Sequence, residues 1–285
     1  MKLPPLEYAC PTSVAEAVAL LATRDGEAMP LAGGQSLVPM LAFRAAAPAL
    51  LVDLRKLEEL RQIRIMGDGV RLGAMVRWCD ILDDARLATA HPLLVAAIAH
   101  VAHFQIRNRG TVGGSIAHAD PAAEMPAIAV ACEAEITVVS EAGTRTIAAA
   151  DFFLGALTTA LMRDEIVIEV RLPAWPSRRR FGFEEFARRR GDFAVAAAAL
   201  FYDEDAVRKV RNAHIGVIGA ADQPLRLRAV EDMLSGHVVD EAVIGKAAAA
   251  ASAAVDPPSD IHAGAAYRRS LIGTLVERAL RSAAA

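Results

Sequence analysis

Apolar positions along the chain change period several times, and each change marks an element. Val14, Val18 and Leu21 fall on one helical face, and Ser13 followed three residues later by Glu16 forms a capping-box signature, so a helix is predicted to run toward Gly26. A short apolar strand, Met29 to Ala32, comes next. Ala49-Leu50-Leu51-Val52-Asp53-Leu54 is continuous rather than alternating, the pattern of a strand buried on both faces. With Leu37 to Leu41 between the two runs, the opening reads as β-α-β.

From Gln62 the period drops to two: Ile63, Ile65, Val70 and Leu72 alternate around Gly67-Asp68-Gly69, which predicts a hairpin. Helical spacing returns over Val76 to Leu87 and Leu93 to Phe104, and Pro121 suits the first turn of a helix through Ala131. Glu135 to Ser140 and Thr144 to Ala148 predict a second hairpin around Glu141-Ala142-Gly143, and Ile166 to Leu172 a closing strand. Pro173-Ala174-Trp175-Pro176-Ser177 places two prolines at a shift into the basic run Arg178 to Arg180, and reads as a linker between residues 1–173 and 178–285. Beyond it, Phe181 to Arg188, Val195 to Tyr202 and Val207 to Gly219 read as three strands with a turn at Asp203-Glu204-Asp205. Helical patterns then cover Ala229 to Leu234, Asp240 to Ala251 and Tyr267 to Ser282. Strands followed by helices indicate a segregated α+β domain with a three-stranded antiparallel sheet.

Composition narrows the function classes. With 31 Lys+Arg against 34 Asp+Glu over 285 residues, no global positive field is available for nucleic acid. Cys10, Cys79 and Cys132 are far apart with no CxxC spacing, which argues for a reducing cytoplasm and against a cysteine-held metal cluster. The first ten residues carry two prolines and a glutamate where a leader peptide needs an apolar core. No run reaches the ~18 apolar residues of a membrane span; the closest, Pro92 to Phe104, is broken by His100 and His103. Those two histidines share a helix face but lack a third ligand, and packing explains them better than metal. GxGxxG, GxxxxGK[ST] and GxSxG are all absent, so a Rossmann site, a P-loop and an α/β-hydrolase nucleophile are not expected.

Two glycine doublets remain, in Leu31-Ala32-Gly33-Gly34-Gln35-Ser36-Leu37 and Arg109-Gly110-Thr111-Val112-Gly113-Gly114-Ser115-Ile116. Adjacent glycines let backbone N–H groups approach an anion, and Ser36, Thr111 and Ser115 add hydroxyl donors. Spacing alone leaves a pair of tight turns equally open. The flanking residues go further. Leu31 through Pro39, Pro48 through Leu54, Gln105 through Ser115, and Ala119-Asp120-Pro121-Ala122-Ala123-Glu124 together make the chain closely similar to the FAD-binding medium subunits of the molybdenum hydroxylases, the family of carbon monoxide dehydrogenase and xanthine dehydrogenase.

That resemblance implies a vanillyl-alcohol-oxidase-like (PCMH-type) FAD-binding fold, with subdomains of about 1–55 and 56–173 and a C-terminal domain closing over the cofactor. It implies that Ala32, Gly33, Gly34, Gln35 and Ser36 hold the pyrophosphate of a noncovalent FAD from one side, and Thr111, Val112, Gly113, Gly114 and Ser115 its pyrophosphate and ribitol from the other. Glu124 would accept from cofactor hydroxyls where relatives often have aspartate, and Gln35 stands where they often have histidine. Leu161 is a further expected neighbour, and Asp192 and Phe193 resemble the segment that approaches the isoalloxazine ring. Asp192 reads equally well as part of a charged turn, and Leu161 as plain core. The implied activity is electron transfer from [2Fe-2S] clusters of a small partner subunit, fed by a large molybdopterin subunit, through FAD to an external acceptor, in a dimer of heterotrimers. The basic runs Arg178 to Arg180 and Arg188 to Arg190 are solvated faces or docking sites for an acidic partner. Two rival readings use the same scaffold: a free-standing flavin oxidoreductase, and a non-catalytic assembly protein with an empty site.

Overall fold

The β-α-β opening is realised as a three-stranded parallel sheet in which Leu50–Asp53 lies between Glu7–Ala9 and Ala28–Leu31. All four residues of the central strand are buried, which is why its apolar run does not alternate. The computed structural model describes residues 3–24 and 26–285; Met1 and Lys2, which head the stretch read as lacking a leader, and Asp25 lie outside the described residues. The helix Val14–Ala22 covers this sheet by packing Ala17, Val18 and Leu21 against Leu50, Val52 and Leu54. Ser13 Oγ accepts the N–H of Glu16 at 3.2 Å as expected, but the Glu16 carboxylate takes the N–H of Thr12 at 2.8 Å, so the box closes one residue upstream of the cap.

A five-stranded antiparallel sheet follows, in the order Ile63–Met66, Gly69–Gly73, Ile166–Pro173, Glu135–Ser140, Gly143–Ala148. The late strand Ile166–Pro173 therefore inserts between the two hairpins and joins them. Helices form the other wall of its core, and here the sequence periodicity overruns. The helix expected over Val76 to Leu87 spans only Trp78–Asp83, because the Asp84 carboxylate turns to the N–H of Arg86 at 3.1 Å and to its guanidinium at 2.6 Å. The helix expected to reach Phe104 ends at Ile98, and Ala102 adopts φ +40° before a short turn, Phe104–Arg107. The helix expected from Pro121 begins at Glu124, since Asp120 first closes a turn by accepting the N–H of Ala122 at 2.8 Å and of Ala123 at 3.0 Å.

The C-terminal sheet has four strands rather than three. Arg180–Ala187, Ala194–Glu204 and Val210–Ile218 are joined by Leu225–Arg226, two residues too short to leave a periodic trace, paired through Gly216↔Arg226 and Val217↔Leu225. Arg228–Leu234, Glu241–Ala253 and Ala265–Ala284 pack around its apolar core, and the alanines of the central strand let the last helix come close. A Cβ at Gly182 would overlap the Ala279 carbonyl oxygen. The helix Glu124–Ala131 also packs on this sheet: Ala127 joins Ala194, Ala197 and Ile218, and His214 Nδ1 lies 2.8 Å from the Ala131 carbonyl. Trp175 anchors the segment between the two halves, its ring 4.7 Å from His91 and 5.3 Å from Phe201.

Candidate functional site

The strand Ala28–Leu31 delivers the chain at the C-terminal end of a parallel sheet, the edge where open sheets place their ligands. The turn that follows, Ala32 to Ser36, is half-buried throughout. Gly34 has φ +72°, a conformation only glycine adopts without strain, and Gly33 is fixed by a different constraint. A Cβ there would overlap the carbonyl oxygen of Arg109, in the second glycine segment. The two segments thus touch backbone to backbone across 76 residues of sequence, with Arg109 Nε 3.4 Å from Gly33 O. Gln35 Nε2 donates to the same carbonyl at 3.0 Å, so this side chain props its own loop. Among the described residues the N–H groups of Gly33, Gly34, Gln35 and Ser36 find no acceptor. Half-buried unpaired donors in consecutive residues are costly unless a ligand or water satisfies them.

The second segment behaves differently. Expected to be a loop, Thr111 to Ser115 is instead the start of a helix, Val112–His118, with Thr111 as its cap. Its donors are taken up internally: Val112 N–H by Val76 O at 2.9 Å, Gly113 N–H by Ala74 O at 2.8 Å, Gly114 N–H by Thr111 Oγ1 at 3.1 Å and Ser115 N–H by Thr111 O at 3.0 Å. The expectation that both doublets offer backbone donors is therefore corrected for the second. Gly113 and Gly114 serve by lacking a side chain. A Cβ on Gly113 would sit 2.5 Å from Ala74 Cβ, and one on Gly114 would sit 3.5 Å from Ala32 Cβ, at the meeting of the two segments. Thr111 N–H has no acceptor among the described residues, and the Ser36 and Ser115 hydroxyls have no partner there either.

The remaining expected residues differ in depth, and no hydrogen bond or ion pair joins Glu124, Asp192 or Phe193 to either glycine segment among the described residues. Glu124 opens the helix Glu124–Ala131 and is 8% exposed; burial, reinforced by Asp120, raises its carboxyl to about 7 against an opposing backbone hydrogen bond. Leu161 is half-buried against the main core, with its N–H 3.3 Å from Thr159 Oγ1. Nearby, Leu157 N–H donates at 3.1 Å to the carbonyl of Ala119, just past the second segment's helix. Asp192 and Phe193 follow a turn at Gly191 (φ +87°) seated on His103, where a Cβ would overlap the imidazole. Phe193 is 72% exposed and is not packed into either core. His100 and His103, expected on one helix face, share no helix: His100 lies beyond the helix that ends at Ile98, and His103 caps the short turn Phe104–Arg107. Among the described residues there is no group of three or more His, Cys, Asp and Glu side chains that could hold a metal ion.

Two family models divide the chain: residues 4–175 match the FAD binding domain in molybdopterin dehydrogenase, and residues 181–283 match the CO dehydrogenase flavoprotein C-terminal domain. The chain belongs to this flavoprotein family. Nicotine 6-hydroxylase medium subunit of Paenarthrobacter nicotinovorans is 39% identical over 100% of this chain and 99% of its own length. Carbon monoxide dehydrogenase medium chain of Hydrogenophaga pseudoflava is 37% identical over 98% of this chain and 97% of its own. Among solved structures, quinoline 2-oxidoreductase from Pseudomonas putida 86 superposes with a TM-score of 0.95 at 38% identity, covering 100% of this chain and 98% of that one. The flavoprotein thus has the α+β, PCMH-type fold with a C-terminal domain that the resemblance implied.

Other residues of the flavoprotein's site escape sequence reasoning. Gly110 is buried with Trp78 Nε1 2.6 Å from where its Cβ would stand, and Arg109 reaches the first loop. Both lie inside the second motif, yet neither spacing nor residue type shows a contact with partners so distant in sequence.

Proposed function

We propose that this flavoprotein is the noncovalent FAD-binding, electron-transfer subunit of a cytoplasmic molybdenum hydroxylase complex, with domains at about 1–173 and 178–285. The observation that carries this reading is the row of unpaired N–H groups from Gly33 to Ser36, closed from above by Thr111 and the side-chain-free Gly114. Such a row suits a pyrophosphate, whose oxygens accept several backbone donors at once. In this reading Ala32 to Ser36 hold the pyrophosphate, Thr111 supplies one further N–H, and Ser36 and Ser115 add hydroxyls. Val112 and Gly113 set the helix that carries Ser115, Glu124 meets cofactor hydroxyls, and Leu161 gives an apolar wall. Phe193, exposed in this chain by itself, lies beside the ring with Asp192 near its edge. Bound FAD would supply the redox chemistry, receiving electrons from [2Fe-2S] clusters and passing them to an external acceptor; the protein's own work is to position it.

The relatives' names as medium chains and medium subunits support partners of two kinds, a large molybdopterin subunit and a small [2Fe-2S] subunit, which we place in a dimer of heterotrimers. Free Cys10, Cys79 and Cys132 fit a reducing compartment, and among the described residues no helix is long and apolar enough to cross a membrane. The native complex, purified through a tag on this chain, is expected to contain flavin released by mild acid together with molybdenum and iron. Full turnover of a small substrate by this chain alone would replace the reading with the free-standing oxidoreductase. A complex lacking flavin would leave the assembly protein.

A further inference from the structure

The peptide between Gly33 and Gly34 is the one backbone unit of the first loop with glycine on both sides, so no Cβ opposes its rotation. Each glycine is needed for another reason: a Cβ on Gly33 would overlap the Arg109 carbonyl oxygen, and Gly34 sits at φ +72°. The close approach of the two segments therefore leaves a freely turning peptide between two fixed anchors. One is the strand Ala28–Leu31; the other is the helix Leu37–Ala42, whose Val38 N–H bonds to Gly34 O at 3.1 Å. No peptide among the described residues is cis, and in a trans peptide C=O and N–H point in opposite directions. Turning this unit over would put the Gly33 carbonyl where the unpaired Gly34 N–H now stands. An anion on that face would then meet an acceptor in place of a donor.

Two side chains hold the carbonyl away from that face. Gln35 Nε2 donates to Gly33 O at 3.0 Å from a half-buried position, and Arg109 Nε adds a longer contact at 3.4 Å from the second segment. Neither side chain has another hydrogen-bond partner among the described residues. We propose that Gln35 and Arg109 are positioning residues that lock the Gly33–Gly34 peptide, so that the Gly34 N–H faces the pyrophosphate before the cofactor arrives. The lock rests on the proposed FAD site and gives Gln35 a role there through the Gly33 carbonyl, while its own backbone N–H stays in the row of free donors. Because Arg109 belongs to the second segment, the meeting of the segments and the aiming of the donor are one event. A donor fixed in advance binds without the cost of ordering it, and losing a neutral hydrogen bond that fixes it corresponds to about tenfold in affinity.

Nuclear magnetic resonance of the full chain, with glycine labelled at its carbonyl carbon and its nitrogen, tests the lock. Only Gly33–Gly34 and Gly113–Gly114 join two glycines, so a spectrum correlating each amide with the preceding carbonyl contains those peaks alone. Adding FAD to wild type is expected to move the Gly33–Gly34 peak. Gln35→Met keeps the side-chain length and removes the donor; it is expected to displace that peak in the FAD-free chain, to leave the Gly113–Gly114 peak in place, and to weaken FAD binding about tenfold. Arg109→Met, at an exposed position, is expected to act in the same direction to a smaller extent, and carries the test if the first variant does not fold. An unmoved Gly33–Gly34 peak in the folded variants, or unchanged FAD affinity where the peak moves, overturns the lock and leaves the FAD site standing. FAD that moves neither peak in wild type overturns the site, and the lock with it.

Discussion

At the residue scale, single positions hold the site because no other side chain fits them. Gly34 at φ +72° is expected to lose about 1–2 kcal/mol on substitution by alanine, the cost of a left-handed L-residue, with weaker FAD retention; chemical denaturation and flavin release would measure both. A second residue sets an acid limit. His91 is buried, caps the helix Pro92–Ile98 by accepting the Leu94 N–H on Nδ1 at 3.2 Å, and is held down to about 4 by burial, with Arg179 acting in the same direction. A folded value below the ordinary 6.5 means that its contribution is present above about 6.5 and lost as pH falls through about 4, amounting to about 3 kcal/mol at most. His91→Asn keeps a capping acceptor and removes the titration. Its stability profile should be flatter than wild type's over that window; parallel profiles would show that His91 does not set the limit.

At the element scale, the second glycine segment works as a capped helix. Thr111→Val removes the hydroxyl that accepts the Gly114 N–H, and is expected to cost about 1 kcal/mol and to speed flavin release. Equal stability in urea titrations would show the cap to be idle. Elements of this kind explain what the sequence disclosed. The hairpin at Gly67-Asp68, the buried run at Leu50–Asp53 and the three final helices were legible because period and turn chemistry agree there. Helix ends were not, because Asp84 and Asp120 bond to nearby backbone N–H groups and end or delay the helix locally while the apolar period continues. Strands such as Glu7–Ala9, Thr158–Thr159 and Leu225–Arg226 are too short to carry a period. The site motifs were legible as motifs. Their division into a loop with free donors and a helix with occupied ones depends on Ala74, Val76 and Arg109, which only the folded chain brings together.

At the scale of the whole molecule, the two halves are joined by polar as well as apolar contacts. Arg226 in the C-terminal sheet reaches Glu133, just past the helix Glu124–Ala131, and binds Glu231 at 2.7 Å, which also accepts the Ile215 N–H at 2.7 Å. Arg226→Met would leave Glu231, 6% exposed, without its cation, and should cost about 3–5 kcal/mol. Glu133→Gln removes an exposed partner and should cost about 0–1 kcal/mol. Similar losses from both variants in thermal unfolding would contradict this ranking. In the proposed function the two glycine segments close on one FAD, and Gly114 probes their meeting point. The side chain of Gly114→Val would stand between Thr111 and Ala32, while the sheets lie elsewhere. Flavin content per folded chain, measured by absorbance after gel filtration with circular dichroism as the control for folding, is the direct test. Wild type should retain stoichiometric FAD and folded Gly114→Val should lose nearly all of it; full FAD content in the folded variant would show that the cofactor does not sit where the two segments meet.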